Sequence, residues 1–293
     1  MSKKGAILFI ALSIIWGIPY LLIKFALVDL DPAFIVFARS FPAAVILLFY
    51  SAMRGKLKSN LKYYKTAFGF AVVEMVFPWW FINLAEREIS SSLAGLLLAT
   101  VPIFGVVIAR FRGDQTAFHQ RRIIGMLIGT LGVVVLVGLD SITESISILA
   151  VFIVLLAAFG YALGPVIVNL TLGESDSPTV IGMSLMIVSL IYTPFLPFVA
   201  PTEMPSTSAL LAVSTLALIC TVLAFILFFA LIDEIGPVRV TLITYLNPAV
   251  ALILGVVFLS EPITIGLAIG FPMVIIGSWF ASSVNQRTES VNA

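Results

Sequence analysis

Ten apolar runs separated by short polar breaks account for nearly all of this 293-residue chain. Each run is about as long as the helix of roughly 20 apolar residues that crosses the hydrocarbon core of a bilayer. A soluble protein has no way to bury ten such runs. The pattern therefore predicts an all-α polytopic membrane protein with ten transmembrane helices. The runs lie at about residues 5–28, 33–53, 64–84, 91–110, 122–139, 147–169, 179–199, 208–231, 238–259 and 263–284.

The composition agrees with a membrane protein. Hydrophobic residues make up 61% of the chain and charged residues 11%, and the mean hydropathy is +1.17. The longest polar stretch, residues 54–65, is too short to fold as a soluble domain. The net charge of +1 is not gathered on a basic face, so no nucleic-acid partner is expected. The first run is too long for the apolar region of a signal peptide and is expected to remain as a span.

The basic residues favour one orientation of the chain. Consecutive spans place alternate loops on the same side of the membrane, and thirteen of the sixteen Lys and Arg residues then lie on the side of the amino terminus. Arg87 lies on the other side, and Lys24 and Arg39 lie within runs. Because cytoplasmic loops carry an excess of basic residues, we expect both termini in the cytoplasm and the protein in the plasma (inner) membrane.

The second half of the chain repeats features of the first. An offset of about 146 residues superposes Glu88 on Glu234 and Pro102 on Pro248. The predicted repeats are residues 5–139 and 147–284, with five runs in each. Because five is an odd number, the two repeats must enter the membrane in opposite orientations. Inverted repeats of this kind are typical of secondary transporters, whose site lies near the midplane where the halves meet.

Several short motifs flank or open the spans in a fixed order. They are Ser13–Gly17 with Lys24, Asp31-Pro32 with Arg39, Ser90–Thr100 before Pro102, Val240–Asn247 before Pro248, and Phe258–Pro262. With these motifs the chain resembles, over its whole length, the EamA-type carriers of the drug/metabolite transporter (DMT) superfamily. The acidic residue that this family carries after spans 4 and 9 is present as Glu261 and shortened to Asp114. The resemblance implies ten helices around a central cavity and the export of amino acids or other small metabolites.

Three charged residues lie within the apolar runs and away from their ends, where a charge costs at least about 2.5–3.5 kcal/mol. We expect Glu74, near the middle of the third run, to face the cavity and to bind a proton or a cationic group of the substrate. The alternative is a fixed ion pair between Glu74 and Arg39 that locks the second and third spans together. Arg39 and Lys24 are further candidates for substrate contact, and the alternative for Lys24 is an amine that extends to the membrane interface.

Aromatic residues are the next candidates, because they supply flat apolar walls with hydrogen-bonding tips. Trp16 and Tyr20 share one face of the first run, Tyr161 lies in the equivalent sixth run, and Trp79 follows Pro78 in the third. The alternative is that these side chains belong to the aromatic belts at the membrane surface.

Polar residues and prolines mark the ninth run and several others. Thr241, Thr244 and Asn247 precede Pro248 and are candidate substrate-binding residues. A proline in a helix frees a backbone carbonyl group that can meet water, substrate or an ion. The candidate helix breaks are Pro19, Pro78, Pro102, Pro165 and Pro248.

Glycines recur at helical spacing in the last run of each repeat. Gly125, Gly129 and Gly132 line the fifth run, and Gly266, Gly270 and Gly277 line the tenth. Small residues let membrane helices approach closely. We therefore expect the fifth and tenth spans to pack tightly rather than to line the transport path.

Motifs of other functional classes are absent from the sequence. There is no GxxxxGK[ST] loop for ATP, no HExxH and no GxSxG motif, and no clustered metal ligands, so we expect neither an enzyme nor a cofactor or metal. The sequence favours a secondary carrier that exports a small solute by alternating access, driven by the solute gradient or by exchange with protons. The alternatives are an intramembrane lipid-processing enzyme and a non-transporting receptor or partner. The expected partners are a small-molecule substrate, the lipid bilayer and protons, and the oligomeric state stays open.

Overall fold

The structure is a computed structural model that describes residues 2–113, 119–143, 146–168, 175–235, 240 and 243–282. These residues form helices and connecting segments, and no β-strand occurs among them. In the described parts of the chain, ten helical segments of more than one residue follow one another. Their bounds are Lys3–Ala26 (α1), Pro32–Met53 (α2), Leu57–Ala85 (α3), Ser91–Phe111 (α4), Gln120–Thr143 (α5), Ile148–Val168 (α6), Ser177–Val199 (α7), Thr207–Ile235 (α8), Ile243–Leu259 (α9) and Ile265–Ser282 (α10).

The helical segments differ in whether they can cross a membrane. In the described part of the chain, the eight segments α1 to α8 are long and apolar enough to do so, and α9 and α10 are shorter apolar helices. The prediction of an all-helical membrane protein is confirmed. The count of ten spans stays a prediction, because eight helices of the described residues are long enough to cross a membrane.

Two helices contain π-helical segments at equivalent positions. These segments are Ala71–Val76 in α3 and Leu218–Leu223 in α8, and their first residues are 147 positions apart. A π-helical turn shifts the backbone hydrogen bonds from i→i+4 to i→i+5, and such turns are frequent at functional sites. Their separation agrees with the repeat offset in the sequence, so the two halves share this change of helix geometry.

Three of the predicted helix breaks coincide with a change in the winding of a helix. α1 is interrupted at Ile18, directly before Pro19. Pro78 lies in the first turn of the α-helical part of α3 that follows the π segment. Pro102 follows a 3-10 turn at Leu98–Thr100 in α4.

The prediction of helix breaks is wrong at the other two prolines. Pro165 lies inside the continuous helix of α6, and Pro248 lies inside that of α9. A membrane helix tolerates a proline without a break when neighbouring groups satisfy the carbonyl that the proline frees. The position of a proline in an apolar run therefore does not by itself show where a helix is interrupted.

The structure divides into two compact units, of which the first consists of Met1–Leu98 and Ser147–Pro262. In this unit α2 packs against α7, α3 against α6, and α1 against α8 and α9, while the first turns of α4 pack against α9. Exchanging the two repeats maps the α3–α6 pair onto α8–α1 and maps α2–α7 onto itself. The helix contacts therefore follow the two-repeat architecture.

Polar side chains join helices inside the apolar core of this first unit. The hydroxyl groups of Ser40 in α2 and Ser189 in α7 lie 3.0 Å apart and are hydrogen-bonded. Tyr192 in α7 donates a hydrogen bond of 2.8 Å to the carbonyl oxygen of Val76, the last residue of the π segment in α3. Both bonds connect the two repeats, and the second does so at the position where α3 changes its winding.

Contacts between the connecting segments of the first unit separate into two ends. At the N-terminal end, Lys4 pairs with Glu234 at 3.5 Å and Arg54 pairs with Asp176 at 3.1 Å. At the opposite end, the contacts are Arg87–Asp31 at 3.2 Å, the Ser206 amide with Asp29 at 2.9 Å and the Ser91 amide with Glu261 at 2.7 Å. Each pair joins segments that an alternating path of the chain places on the same side.

The second unit consists of Ala99–Ile146 and Ile263–Ala293. In it α5 and α10 pack along the predicted glycine stripes. A Cβ atom at Gly125 would lie 2.6 Å from the carbonyl oxygen of Gly277, and one at Gly132 would lie 2.8 Å from the backbone nitrogen of Val274. Both distances are too short for a side chain, so the predicted close packing of these two spans is confirmed.

Candidate functional site

The candidate site begins at the two π-helical segments of the first unit. Glu74 is the fourth residue of the segment in α3, and Thr221 is the fourth residue of the segment in α8. Thr221 donates a hydrogen bond of 2.8 Å from its hydroxyl group to the carbonyl oxygen of Leu216, five residues earlier. The changed winding thus turns a polar side chain of each repeat away from the regular α-helical pattern.

Glu74 is held close to the backbone of α6. A Cβ atom at Gly164 would overlap the Glu74 carboxyl group, so this contact requires glycine. The Oε2 atom of Glu74 is buried and has no hydrogen-bond partner among the described residues. A buried carboxyl oxygen without a donor is costly, so Glu74 is a strong candidate for binding a proton or a cation.

Arg39 lies in α2 and is 9% exposed. Its Nε atom donates a hydrogen bond of 3.0 Å to the hydroxyl oxygen of Thr221, and its guanidinium carbon lies 3.8 Å from the centroid of the Trp79 ring. Stacking on an aromatic face and a fixed hydrogen bond together hold the guanidinium plane in one orientation. Arg39 therefore links α2, α3 and α8.

Glu74 and Arg39 do not form the ion pair that was the alternative to a substrate-binding role. The ion pairs formed by the described residues do not include one between these two side chains. The reason is local, because Arg39 is held by Trp79 and Thr221 while Glu74 lies against Gly164. The two ionisable side chains thus lie in one unit without forming an ion pair.

Tyr161 connects these charges. Its side chain is hydrogen-bonded to that of Trp79, and it interacts electrostatically with Tyr20, Arg39 and Glu74. The indole of Trp79 can only donate, so the Tyr161 oxygen accepts this hydrogen bond. Trp79 is 6% exposed and lies inside the unit, so the membrane-surface alternative does not describe its position. The structure thus brings five of the predicted site residues together: Tyr20, Arg39, Glu74, Trp79 and Tyr161.

Lys24 lies at the end of the first unit that is opposite the amino terminus, next to the turn between α3 and α4. Its amine donates hydrogen bonds of 2.5 and 2.6 Å to the carbonyl oxygens of Glu86 and Ile89 in the turn between α3 and α4. A cation at the carboxyl end of a helix satisfies free carbonyl groups and interacts favourably with the helix dipole. The contacts of Lys24 are therefore with the protein backbone.

Two further predicted residues, Trp16 and Asn247, lie at contacts between α1 and its neighbours. The ring of Trp16 lies 5.1 Å from that of Phe228 and packs in an apolar cluster. The side-chain amide of Asn247 in α9 is satisfied when its nitrogen points at carbonyl groups. In this orientation it donates hydrogen bonds of 3.1 Å to the carbonyl oxygens of Ser13 in α1 and of Ile243. Thr244 lies at the start of α9. Thr241 lies outside the described residues.

Three residues of functional interest were missed from the sequence: Thr221, Gly164 and Glu86. The internal repeat could have found Thr221, because an offset of 147 residues places it on Glu74. Gly164 has no such signal, since its role depends on how closely α6 approaches α3. Glu86 follows an apolar run, where a carboxylate is expected in water, yet it is 1% exposed.

The chain matches the sequence model of the EamA-like transporter family over residues 3–138 and again over residues 148–283. The protein belongs to the EamA-like transporter family. It is a multi-pass membrane transporter built from two EamA repeats. Transporters of this family are generally not enzymes.

Curated relatives of this EamA protein carry transporter names. It is 28% identical over 252 residues to "Uncharacterized inner membrane transporter YedA" of Escherichia coli, which covers 84% of this chain and 79% of that protein. It is 26% identical over 279 residues to "Probable amino-acid metabolite efflux pump" of Escherichia coli, which covers 90% of each. It is 24% identical to "Uncharacterized transporter YdfC" of Bacillus subtilis over 96% of this chain and 92% of that protein.

The fold also resembles that of a solved structure. A crystal structure described only as that of a protein matches with a TM-score of 0.67 and 17% sequence identity, over 99% of this chain and 100% of that chain. At this level of identity, the similarity shows the shared fold.

Proposed function

We propose that the protein is a secondary carrier that exports amino acids or related small metabolites by alternating access and exchanges them for protons. One observation carries the proposal: Arg39 is 9% exposed, the Oε2 atom of Glu74 is buried in the same unit, and no ion pair of the described residues joins the two side chains. Two uncompensated buried charges are costly, and a bound solute with complementary charges would offset that cost.

The chemistry of the two side chains fits a zwitterion. Among the described residues, Arg39 is hydrogen-bonded to Thr221 through its Nε atom. The other N–H groups of the guanidinium can donate two parallel hydrogen bonds to a carboxylate. The Oε2 atom of Glu74 can accept from an ammonium group or hold a proton. Export of an amino-acid metabolite is the activity named for one relative that is 26% identical.

Alternating access would use the two repeats. We propose ten spans in two inverted five-helix repeats, residues 5–139 and 147–284. The protein lies in the plasma (inner) membrane with both termini in the cytoplasm. The equivalent π segments and the exchange-symmetric helix contacts support this arrangement. The separation of loop contacts into two ends supports a crossing by α9, since Glu234 precedes this helix at one end and Glu261 follows it at the other.

Flux in proteoliposomes tests the proposed function. Purified protein is reconstituted into vesicles that are loaded with labelled amino acids or nucleosides. Efflux is followed with and without a proton gradient directed into the vesicles. We expect efflux of zwitterionic amino acids that the proton gradient accelerates, and much slower efflux of the matching amines and carboxylic acids. Turnover of lipid without solute flux would identify a lipid-processing enzyme instead, and binding without flux would identify a receptor.

A further inference from the structure

Glu86 is a buried carboxyl group that is not part of the proposed transport site. It follows α3, which ends at Ala85, and its side chain is 1% exposed. Both of its carboxyl oxygens are buried without a hydrogen-bond partner among the described residues. Glu88, two residues later, is exposed, so burial is specific to Glu86 and is not a property of the whole turn.

The groups that face Glu86 come from two other parts of the first unit. α1 contributes Lys24 and Tyr20, which both lie near enough to Glu86 to interact with it electrostatically. The segment after α9 contributes Glu261, which accepts a hydrogen bond from the Ser91 amide at the start of α4.

Lys24 is near Glu86 but is engaged elsewhere. Its amine is bound to the carbonyl oxygens of Glu86 and Ile89, at 2.5 and 2.6 Å. The ion pairs found in the described residues include none between Lys24 and the Glu86 carboxyl group. The amine therefore ties α1 to the turn between α3 and α4 through backbone atoms.

The carboxyl group of Glu261 has three hydrogen-bond donors at the start of α4. Its carboxylate accepts hydrogen bonds of 2.7 and 3.0 Å from the backbone amides of Ser91 and Ser92, and one of 2.5 Å from the Ser92 hydroxyl group. These are the first amides of α4, where a helix favours negative charge. The adjacent Glu86 has no such donors among the described residues, so a second negative charge here would be repelled and unsolvated.

Glu86 therefore holds a proton in the packed arrangement. Burial raises the pKa of its carboxyl group well above the ordinary value, Lys24 lowers it and Glu261 raises it. An ionised carboxylate without donors in this position would be strongly unfavourable, more so than moving the Lys24 amine or admitting water.

We propose that Glu86 is a proton-binding site that controls the end of the first unit where α1, α3 and α4 meet. With its proton bound, Glu86 allows Lys24 to remain on the backbone of the turn, and this end stays closed. When the proton leaves to water, the carboxylate draws the Lys24 amine away from the two carbonyl oxygens, and α1 separates from the turn. This site is distinct from Glu74 and does not depend on the identity of the solute.

The direction of the pH effect follows from the raised pKa. A group whose pKa is higher in the closed arrangement than in the open one stabilises the closed arrangement at low pH. This contribution is lost as the pH rises through the pKa of the closed state. Raising the pH should therefore open this end.

Infrared spectroscopy tests the site without a substrate. The pH-induced difference spectrum of the protein in liposomes, recorded between about pH 5 and 9, covers the ordinary carboxyl range and the raised one. We expect a C=O band of a protonated carboxyl group that is lost in Glu86→Gln and retained in both Glu88→Gln and Glu74→Gln. A Glu86→Gln spectrum identical to that of the unchanged protein would overturn the proposal. Because Glu74→Gln must keep the band, failure at Glu74 would leave this result unaffected.

A labelling experiment tests the opening itself. Ser91 is fully buried, and Ser91→Cys in a Cys220→Ala background places one thiol at this end. The maleimide labelling rate of this protein is compared with that of the same protein carrying Glu86→Gln. At each pH the first rate is divided by the second, and this ratio cancels the effect of thiol ionisation on the rate. One released proton predicts that this ratio rises about tenfold per pH unit until opening is complete. A ratio that does not change with pH would contradict a proton-controlled closure.

Discussion

Glu74 and Thr221 occupy the fourth positions of two π-helical segments whose first residues are 147 positions apart. Arg39 joins the two helices that carry these segments, since it donates to Thr221 in α8 and stacks on Trp79 in α3, five residues after Glu74. A polar residue at the same position of each repeat thus belongs to one buried cluster. The following predictions concern this cluster, the connecting segments and the orientation of the chain.

Replacement of Glu74 should separate expression from transport. Glu74→Gln keeps the size of the side chain but cannot bind and release a proton, so we expect solute flux to fall at least about tenfold, or to lose its dependence on the pH gradient, with expression unchanged. The measurement is efflux from proteoliposomes at several pH values. Glu203→Gln, at an exposed loop carboxylate, is the matched control and should transport normally. Normal pH-dependent flux by Glu74→Gln would remove Glu74 from the site.

Arg39 should not be replaceable by lysine. Arg39→Lys keeps the positive charge but loses the planar fork that donates to Thr221 and stacks on Trp79. We expect flux of zwitterionic solutes to fall about tenfold, the factor that corresponds to about 1.4 kcal/mol. Arg112→Lys, at an exposed position, is the control. Equal flux in both variants would show that the guanidinium group does not contact the solute.

The Thr221 hydroxyl group should matter for both stability and flux. Thr221→Val retains the shape but removes the bonds to Arg39 and to the Leu216 carbonyl oxygen, so we expect a loss of about 1.5–3 kcal/mol in thermal unfolding of the purified protein. Thr221→Ser should restore stability and flux because it restores the hydroxyl group. Thr202→Val on the exposed surface should change stability by less than about 0.5 kcal/mol. Wild-type behaviour of Thr221→Val would contradict a positioning role.

Gly164→Ala should displace Glu74. The added methyl group would overlap the Glu74 carboxyl group, and overpacking of this kind costs about 1–3 kcal/mol. The control is Gly105→Ala in α4, where an added Cβ meets nothing within 4 Å and where alanine favours the helix by about 1 kcal/mol. We expect a lower unfolding temperature for Gly164→Ala and an unchanged or higher one for Gly105→Ala. The same sign of change in both variants would contradict the close contact.

The segment between α1 and α2 should show a local pH dependence. Hydrogen bonds from the hydroxyl group and the backbone amide of Ser206 lower the pKa of Asp29. The contact therefore stabilises the fold above the pKa of an unfolded Asp, about 3.9, and its contribution is lost as the pH falls through the lower folded-state pKa. Ser206→Ala should move the pKa of Asp29 back towards its ordinary value in a carbon-13 NMR titration. Ser59→Ala, at an exposed serine in the first turn of α3, should leave it unchanged.

The two termini should lie on the same side of the membrane. The proposed even number of spans requires it, and the excess of basic residues in the loops on that side predicts that it faces the cytoplasm. Tags at each terminus should be accessible to a membrane-impermeant reagent in inverted vesicles and protected in intact cells. Tags on opposite faces would exclude ten spans and with them the inverted five-helix repeats.

Properties that depend on residue type and spacing along the chain were predictable. The length of the apolar runs, the offset between the halves and the glycine stripes identified the membrane fold, the repeats and the packing of α5 on α10. Hydropathy and helical spacing are sums over neighbouring residues, so they need no tertiary structure. Glu74 and Arg39 were found in the same way, because a charge in an apolar run is conspicuous wherever its side chain points.

The partners of these residues were decided only by the tertiary structure. Arg39 binds Thr221, which is 182 positions away, and forms no ion pair with Glu74, while Lys24 turns to backbone oxygens 62 and 65 positions away. Such contacts depend on which helices approach each other and on where a π turn rotates a side chain. The amino-acid sequence determined which charges enter the membrane, and the packing of distant helices determined which groups those charges meet.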